Sequence, residues 1–317
     1  MIFSQIIIFI ISFLLLSFSG RWLIESLKRI SEFLGWKEFV VAFFITAFSV
    51  SLPNFFVGII SALNKVPELS FGDIIGGNVA ELALLGGLAA LISKKGLSAN
   101  SKTVQGSSIF AIITALLPLL LGADGNISRS DGILLILAFA LYTAWLFNKK
   151  ERFEKIYDEI KGRVSVKFVF KTTLIFTISI FLLLVSAQGV VKSARFFADY
   201  LKIPLTLVGI LIVSFGNSLP DLSFVIQAAR KSDDWLLLGD LIGGTIITAT
   251  LVLGIVSLIS PIIITDIPAI VVGRIFLIIS ALFFIFFIRT EKKITKREGT
   301  FLLLIYILFI IVEIIIK

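Results

Sequence analysis

The chain alternates long apolar runs with short polar connections. Ten runs approach or exceed the roughly 20 residues that a helix needs to cross about 30 Å of hydrocarbon. They span residues 2–19, 38–63, 71–93, 104–121, 131–148, 169–190, 203–229, 235–259, 267–288 and 299–316. This pattern predicts an all-α polytopic membrane protein with ten transmembrane helices.

The composition agrees with a membrane protein and restricts its chemistry. Of the 317 residues, 58% are hydrophobic and 16% are charged, and the mean hydropathy is +1.07, outside the range of soluble domains. The chain has no Cys and no His, which excludes disulfides and any site built on thiolate or imidazole. Any bound metal ion must therefore be held by oxygen. The first run lacks a basic leader, so we expect a retained helix and not a signal peptide.

The basic residues predict the orientation in the membrane. We number the connections between the ten runs in chain order. The odd-numbered connections carry 21 Lys and Arg residues, whereas the even-numbered connections and the C-terminus carry six. Basic connections stay in the cytoplasm, so both termini are expected outside the cell membrane and the connection at 148–168 inside. The net charge of +8 follows from this distribution and does not indicate a nucleic-acid partner.

An internal repeat has an offset of 167 residues. SLPN at 51–54 recurs as SLPD at 218–221, and GDIIGG at 72–77 recurs as GDLIGG at 239–244. These anchors are Pro, Gly, Ser and Asp, which rarely coincide by chance in a Leu- and Ile-rich chain.

The repeat predicts two domains of five helices, at 1–147 and 169–317. Their motif-bearing parts lie at about 38–93 and 203–260. Because each half crosses the membrane an odd number of times, the second half must be inverted relative to the first. Inverted repeats are typical of secondary transporters, which bind their substrate near the midplane where the halves meet.

Pro53 and Pro220 occupy equivalent positions inside apolar runs. A proline cannot donate to the carbonyl four residues earlier, which frees the carbonyls of Ser49 and Gly216. A freed carbonyl inside a membrane needs another partner, and a cation is a suitable one. One proline could be a simple kink, but two equivalent prolines beside polar residues favour an ion site.

Polar side chains near these prolines are spaced so that pairs share a helix face. The pairs are Ser51 with Asn54, Asn78 with Glu81, Asn217 with Asp221, and Thr245 with Thr248. Glycines in the second motif, including Gly77 and Gly244, allow close helix approach and expose backbone oxygens to an ion, although tight packing also accounts for them.

Glu81 and Asp221 are the two acids deep within the motif-bearing segments, and a buried intramembrane acid indicates function. The repeat equivalent of Glu81 is Thr248, and that of Asp221 is Asn54. The acids therefore occupy one diagonal of a four-cornered site and the neutral residues the other. Two carboxylates with amide, hydroxyl and carbonyl oxygens suit a hard cation such as Ca²⁺.

Asp73 and Asp240 are a second pair of equivalent acids. They follow glycines near the predicted starts of their segments, where an acid suits a helix N-terminus. The alternative is a role in ion access or behind the ligands, as is also possible for Thr245.

These motifs resemble the two alpha-repeats of the Ca²⁺:cation antiporter superfamily, of the sodium/calcium exchanger type. SLPN with GDIIGGNVAE, and FGNSLPD with GDLIGGTIIT, are similar to its G-(T/N)-S-x-P-(E/D) and G-N-x-x-G-S-N-x-x-(N/D) helices. The sequence departs from that pattern at Asn54, Glu81 and Thr248, and at Gly77 and Gly244, where the family has serine.

The resemblance implies alternating access, with the first and sixth helices moving past a core that holds the ions. It extends ion coordination to Ser51, Asn54, Gly77, Asn78, Glu81, Ser218, Asp221, Gly244 and Thr248. It implies exchange of Ca²⁺ for Na⁺, without a cofactor and without enzymatic activity, by a protein that acts as a monomer among membrane lipids.

Three alternatives remain at this point. The same fold could couple to protons or move Mg²⁺, Mn²⁺ or Na⁺ alone. An intramembrane enzyme would need a nucleophile or a metal cluster, and without Cys or His only acids and hydroxyls are available for one. The symmetric placement of the polar residues near the midplane also disfavours an enzyme. A passive channel would show flux without dependence on a counter-ion.

Overall fold

The computed structural model describes residues 2–33, 51–147, 166–232, 234–264 and 267–316. These residues form ten apolar helices: α1 Ile2–Phe33, α2 Leu52–Leu63, α3 Pro67–Ile92, α4 Lys102–Leu121, α5 Arg129–Phe147, α6 Val166–Leu201, α7 Leu205–Lys231, α8 Asp234–Ile259, α9 Ile267–Thr290 and α10 Lys296–Ile316. In the described part, nine are long and apolar enough to cross a membrane, and the 12 residues of α2 form the tenth helix. The helices agree in number and order with the ten predicted segments.

The first and sixth helices are longer than their apolar runs. α1 has 32 residues and α6 has 36, which corresponds to about 50 Å each at 1.5 Å per residue. The polar stretch after Gly20 was predicted as a connection but continues α1. Its buried residues Leu23 and Ser26 alternate with exposed Arg21 and Glu25, so one face of the helix remains packed.

The offset of 167 residues holds in three dimensions. α3 and α8 begin and end 167 residues apart, and both contain a π-helical stretch, Ala80–Leu85 in α3 and Thr248–Val252 in α8. Such π stretches frequently occur at functional sites. Glu81 and Thr248, the equivalent residues of the two copies, lie at the start of these stretches.

Two short antiparallel ribbons join the helix connections. β1 (Leu97–Ser98, between α3 and α4) pairs with β4 (Lys293–Ile294, between α9 and α10). β2 (Asn126–Ile127, between α4 and α5) pairs with β3 (Ile262–Ile263, between α8 and α9). Each ribbon joins two odd-numbered or two even-numbered connections. Connections of equal parity lie on the same membrane face when every intervening helix crosses, so the ribbons are consistent with ten crossings.

α1 and α6 pack lengthwise and share a hydrophobic core with α2 and parts of α3 and α7. The other helices form a larger core. Polar residues recur every seventh position along both α1 and α6, and all but Gln5 are buried: Gln5, Ser12, Ser19 and Ser26 in α1, and Thr172, Ser179, Ser186 and Ser193 in α6. We call these eight residues the polar seam. Small side chains at this spacing let two membrane helices approach closely.

The outer faces of the helices are apolar. Large hydrophobic side chains remain exposed on most of the described helices, among them Phe3 of α1, Leu141 of α5, Phe181 of α6 and Phe286 of α9. A surface of this kind suits contact with lipid, as a multi-pass membrane protein requires.

Candidate cation site

Two hydrogen bonds join α3 to α8 at the centre of the fold. Thr248 Oγ1 donates to Asn78 Oδ1 at 2.8 Å, and Thr245 Oγ1 donates to Glu81 Oε2 at 2.8 Å. Asn78 is the repeat equivalent of Thr245, and Glu81 is the equivalent of Thr248, so the bonds are crosswise. A two-fold axis between the repeats produces this pattern.

Glu81 is 5% exposed, and its carboxylate lies against a glycine of the other repeat. A Cβ added at Gly244 would lie 2.8 Å from Glu81 Oε1 and 3.1 Å from Oε2, which is too close for a carbon atom. A Cβ added at the equivalent Gly77 would meet nothing within 4 Å among the described residues. The space beside Gly244 is therefore occupied by the glutamate that only the first copy carries.

Asp73 and Asp240 do not cap their helices. The prediction that both acids lie at helix N-termini was wrong. α3 begins at Pro67 and α8 at Asp234, which places both acids in the seventh position of their helices. Proline suits the start of a helix because its missing N–H is not needed there, and it starts α3 before the predicted residue 71. Asp73 is 0% exposed and Asp240 is 7% exposed.

Asp73 binds the side chain of Asn217. Asn217 Nδ2 lies 3.0 Å from Asp73 Oδ1 and 2.9 Å from Oδ2, so one amide nitrogen donates to both carboxylate oxygens. The other amide atom, Asn217 Oδ1, is buried and has no hydrogen-bond partner among the residues that the structure describes. The repeat equivalent of Asn217 is Val50, so the sequence provides no corresponding amide for Asp240.

Four carboxylates share one electrostatic environment. Asp221, Asp240 and Asp73 are all close enough for their charges to act on Glu81, and Arg21 of α1 acts on Asp221, which is half-buried. In the described part of the chain, the one ion pair within 4 Å joins Arg29 to Glu25 at the exposed end of α1. None of these four acids is therefore in a salt bridge with a described residue.

The other expected ligands line α2 and α7. Ser51 is 1% exposed, and its hydroxyl finds no partner within the described ranges, while Asn54 is 8% exposed. Ser218 Oγ donates to the Ser214 carbonyl at 2.8 Å. Gly216 is buried against the ring of Phe13. Ser49 lies outside the described residues.

The structure thus brings together Asn78, Glu81, Thr245 and Thr248 by direct hydrogen bonds. Thr245, expected behind the ligands, contacts Glu81 itself. Its equivalence to Asn78 was the signal that could have placed it there. Across residues 2–33, 51–147, 166–232, 234–264 and 267–316, no three Asp or Glu side chains converge closely enough to hold a metal alone. A cation here needs amide, hydroxyl or backbone oxygens as further ligands.

A further buried acid, Glu313 near the end of α10, escaped the sequence analysis. It is 1% exposed and lies near Gly273 of α9, where an added Cβ would be 3.6 Å from Glu313 Oε1. No repeat motif marks this position, so its burial could not be recognised from the pattern.

An all-helical membrane protein with two inverted five-helix repeats, and with polar groups gathered where the repeats meet, is a secondary transporter. The model of the sodium/calcium exchanger protein family matches residues 4–148 and again 171–315. The chain belongs to this family, and it is a transporter and not an enzyme.

Relatives and solved structures agree with this assignment. The chain is 28% identical to the "uncharacterized membrane protein MJ0091" of Methanocaldococcus jannaschii, over 95% of each chain. It is 24% identical to the sodium/calcium exchanger MaX1 of Methanosarcina acetivorans, over 98% of this chain and 99% of the relative. A structure of the sodium-calcium exchanger NCX_Mj soaked with 2.5 mM Na⁺ and 10 mM Sr²⁺ is 25% identical, with a TM-score of 0.64 over 98% of this chain and 99% of the other. The predicted family and the fold of two inverted repeats are confirmed.

Proposed function

We propose that this protein exchanges Ca²⁺ for Na⁺ across the cell membrane by alternating access. The observation that carries the proposal is the pair Glu81 and Asp221, two carboxylates within the membrane helices that are in no salt bridge with a described residue. Glu81 accepts a hydrogen bond from Thr245 beside the bonded pair Asn78 and Thr248, and Asp221 lies one turn after Asn217. Oxygen ligands of the kind that Ca²⁺ takes are therefore close to both acids. The proposal draws further support from the similarity to MaX1 and NCX_Mj, which are both named sodium/calcium exchangers.

The proposed ligands come from α2, α3, α7 and α8. They are the side chains of Glu81, Asp221, Asn54, Asn78, Ser51, Ser218, Thr248 and Asn217, with backbone oxygens of Ser49, Gly216, Gly77 and Gly244. Asp73, Asp240 and Thr245 act behind these ligands. Ca²⁺ and Na⁺ are the transported ions, and no cofactor is involved.

Charge neutralisation couples the two ions. Glu81 and Asp221 are balanced by one Ca²⁺, by two Na⁺ or by two protons, and uncompensated charge inside a membrane protein is costly. The Ca²⁺-loaded and Na⁺-loaded states can therefore change between inward-facing and outward-facing forms, whereas the empty and doubly negative state resists the change. Ca²⁺ and the monovalent ions compete for overlapping ligands.

The orientation belongs to the same proposal. Both termini lie outside, and the connection at 148–168 is cytoplasmic and joins five-helix domains at 1–147 and 169–317. The protein works as a monomer surrounded by lipid.

Flux of ⁴⁵Ca²⁺ into proteoliposomes under separately imposed Na⁺ and pH gradients tests the proposal. We expect uptake driven by an outward Na⁺ gradient and none driven by the pH gradient alone. Uptake driven only by the pH gradient would establish proton coupling instead, and competition by Mg²⁺ or Mn²⁺ would reveal a different divalent substrate.

Replacing Glu81 tests the assigned site. Glu81→Gln keeps the size of the side chain and removes its charge, so we expect Na⁺-driven ⁴⁵Ca²⁺ uptake to fall by about 100-fold or more, since charge-paired ligands are each worth several kcal/mol. Glu25→Gln is the control, because its exposed ion pair with Arg29 contributes little. Normal uptake by Glu81→Gln would refute the assignment.

A further inference from the structure

The contact between Asp73 and Asn217 has a directional consequence. A primary amide carries its two hydrogens on nitrogen and its lone pairs on oxygen, and the two atoms diverge from one carbon. With Nδ2 held by both oxygens of Asp73, the Asn217 amide is fixed in one of its two possible orientations. Its oxygen must then point away from Asp73.

Asn217 Oδ1, the oxygen that points away from Asp73, is buried and lacks a hydrogen-bond partner in the described part of the chain. Asn217 is 5% exposed and lies one helical turn before Asp221, on the same face of α7. An unpartnered buried acceptor is costly unless something binds it, and a cation beside Asp221 would do so. The opposite amide orientation would present two N–H donors on that face and would repel a cation.

In the sequence, the repeat keeps the acid of this pair but not the amide. Asp240 is the equivalent of Asp73, but the residue equivalent to Asn217 is Val50, which offers neither donor nor acceptor. Aspartate also holds the amide more strongly than a neutral acceptor would, because hydrogen bonds to a charged acceptor are roughly twice as strong as neutral ones. The arrangement therefore favours a firmly held amide on the α3–α7 side.

We propose that Asp73 is a positioning residue that orients the Asn217 amide so that its oxygen serves as a cation ligand. Asp73 itself does not contact the ion. This inference rests on the proposed cation exchange and specifies how one ligand of that site is made ready before the ion arrives.

A double-mutant cycle tests it, with two measurements on purified full-length protein. One is the Ca²⁺ concentration that half-saturates Na⁺-driven ⁴⁵Ca²⁺ uptake, and the other is the shift in thermal unfolding temperature caused by Ca²⁺ in detergent. We expect Asp73→Ala and Asn217→Ala each to raise the half-saturating Ca²⁺ concentration about tenfold, because each removes one charge-assisted hydrogen bond. The maximal rate should change less than twofold. The double variant should be no worse than Asn217→Ala alone.

Two further variants separate positioning from general damage. Asp73→Asn keeps an acceptor for Asn217 Nδ2 and should recover part of the affinity lost in Asp73→Ala. Ser70→Ala is the matched control, since Ser70 is one turn away on α3, is equally buried, and its hydroxyl has no partner among described residues. It should behave as wild type.

Each other outcome counts against the inference. Additive losses in the double variant would make Asp73 an ion ligand in its own right, and an unchanged half-saturation in Asp73→Ala would make the contact merely structural. If wild-type protein showed neither Ca²⁺-dependent stabilisation nor Na⁺-driven uptake, the proposed function would fail and the inference with it. A normal wild-type response with unaffected variants overturns the positioning role alone.

Discussion

At the scale of single residues, the two copies of the repeat differ in which positions carry an acidic side chain. Glu81 has the uncharged Thr248 as its repeat equivalent, and the surroundings of the two equivalent glycines show the same asymmetry. Gly244 lies against the Glu81 carboxylate, whereas nothing described lies within 4 Å of a Cβ at Gly77. A glycine in the middle of a helix usually costs stability, so its presence at 244 is explained by the room that the longer acid needs.

Gly244→Ala tests this relation with the smallest possible addition. The new Cβ would sit 2.8 Å from Glu81 Oε1, so the carboxylate must shift from the position in which it accepts the hydrogen bond from Thr245. We expect Na⁺-driven ⁴⁵Ca²⁺ uptake at low Ca²⁺ to fall about tenfold, corresponding to about 1.4 kcal/mol of lost binding.

Gly243→Ala provides the comparison within the same helix. A Cβ there meets nothing within 4 Å in the part of the chain that the structure describes, and alanine favours a helix by about 0.5–1 kcal/mol. This variant should transport normally and unfold at an equal or higher temperature. If both variants transport equally well, Glu81 does not depend on the space at Gly244.

At the scale of helices, the polar seam between α1 and α6 explains how the first and sixth helices can form one unit. Gly189 of α6 is so close to α1 that an added Cβ would clash with the Ser12 hydroxyl, and Ser193 Oγ donates to Gln5 Oε1 at 3.3 Å. The close approach and the shared core tie the two helices to each other more extensively than to the rest.

Gly189→Leu should separate this pair. A leucine has no space against Ser12, and overpacking of this kind typically costs about 1–3 kcal/mol. We expect a fall of several degrees in the unfolding temperature in detergent and a lower maximal transport rate. Val185→Leu, one turn earlier and with a side chain that is 49% exposed, should change neither. Unaltered transport and stability in Gly189→Leu would show that the seam is loose.

The helices themselves were predictable, and their limits were not. Apolar runs of sufficient length determined the number and order of the helices, because a membrane demands complete backbone hydrogen bonding. The extension of α1 past Gly20 and the start of α3 at Pro67 depend on tertiary packing of polar residues, which a hydrophobicity pattern does not record. The mistaken capping role of Asp73 followed directly from the late start assumed for α3.

The site was predictable to the extent that the repeat symmetry determines it. Spacing along the helix paired Asn78 with Glu81 and Thr245 with Thr248, and the structure joins these four residues by hydrogen bonds between the copies, although Thr245 was expected behind the ligands. The contact of Asp73 with Asn217 breaks the symmetry, since Val50 occupies the equivalent position. No spacing rule within one helix could have paired residues 144 positions apart.

At the scale of the whole molecule, the two ribbons and the distribution of basic residues make a joint prediction about orientation. The natural sequence has no Cys, so any introduced cysteine is labelled without background. Ala123→Cys lies in an exposed even-numbered connection and Lys95→Cys in an exposed odd-numbered one. In intact cells, a membrane-impermeant maleimide should label only Ala123→Cys, and both variants should react after permeabilisation.

The reverse labelling pattern would invert the proposed topology, and labelling of both variants in intact cells would show that α4, which separates the two positions, does not cross the membrane. Transport activity of each variant provides the control for correct insertion.

The crosswise bonds between α3 and α8 also bear on the origin of the chain. If both halves had the same sequence, Asn78–Thr248 and Glu81–Thr245 would be one bond repeated about an axis, as in a homodimer of antiparallel subunits. A half-length gene product of that kind must insert in both directions and therefore carries no strong bias in its basic residues. Duplication and fusion of such a gene free the two copies to diverge. The negative charge at 81, which Thr248 lacks, and the 21-to-6 bias of basic residues are departures from the symmetry that such an ancestor would require.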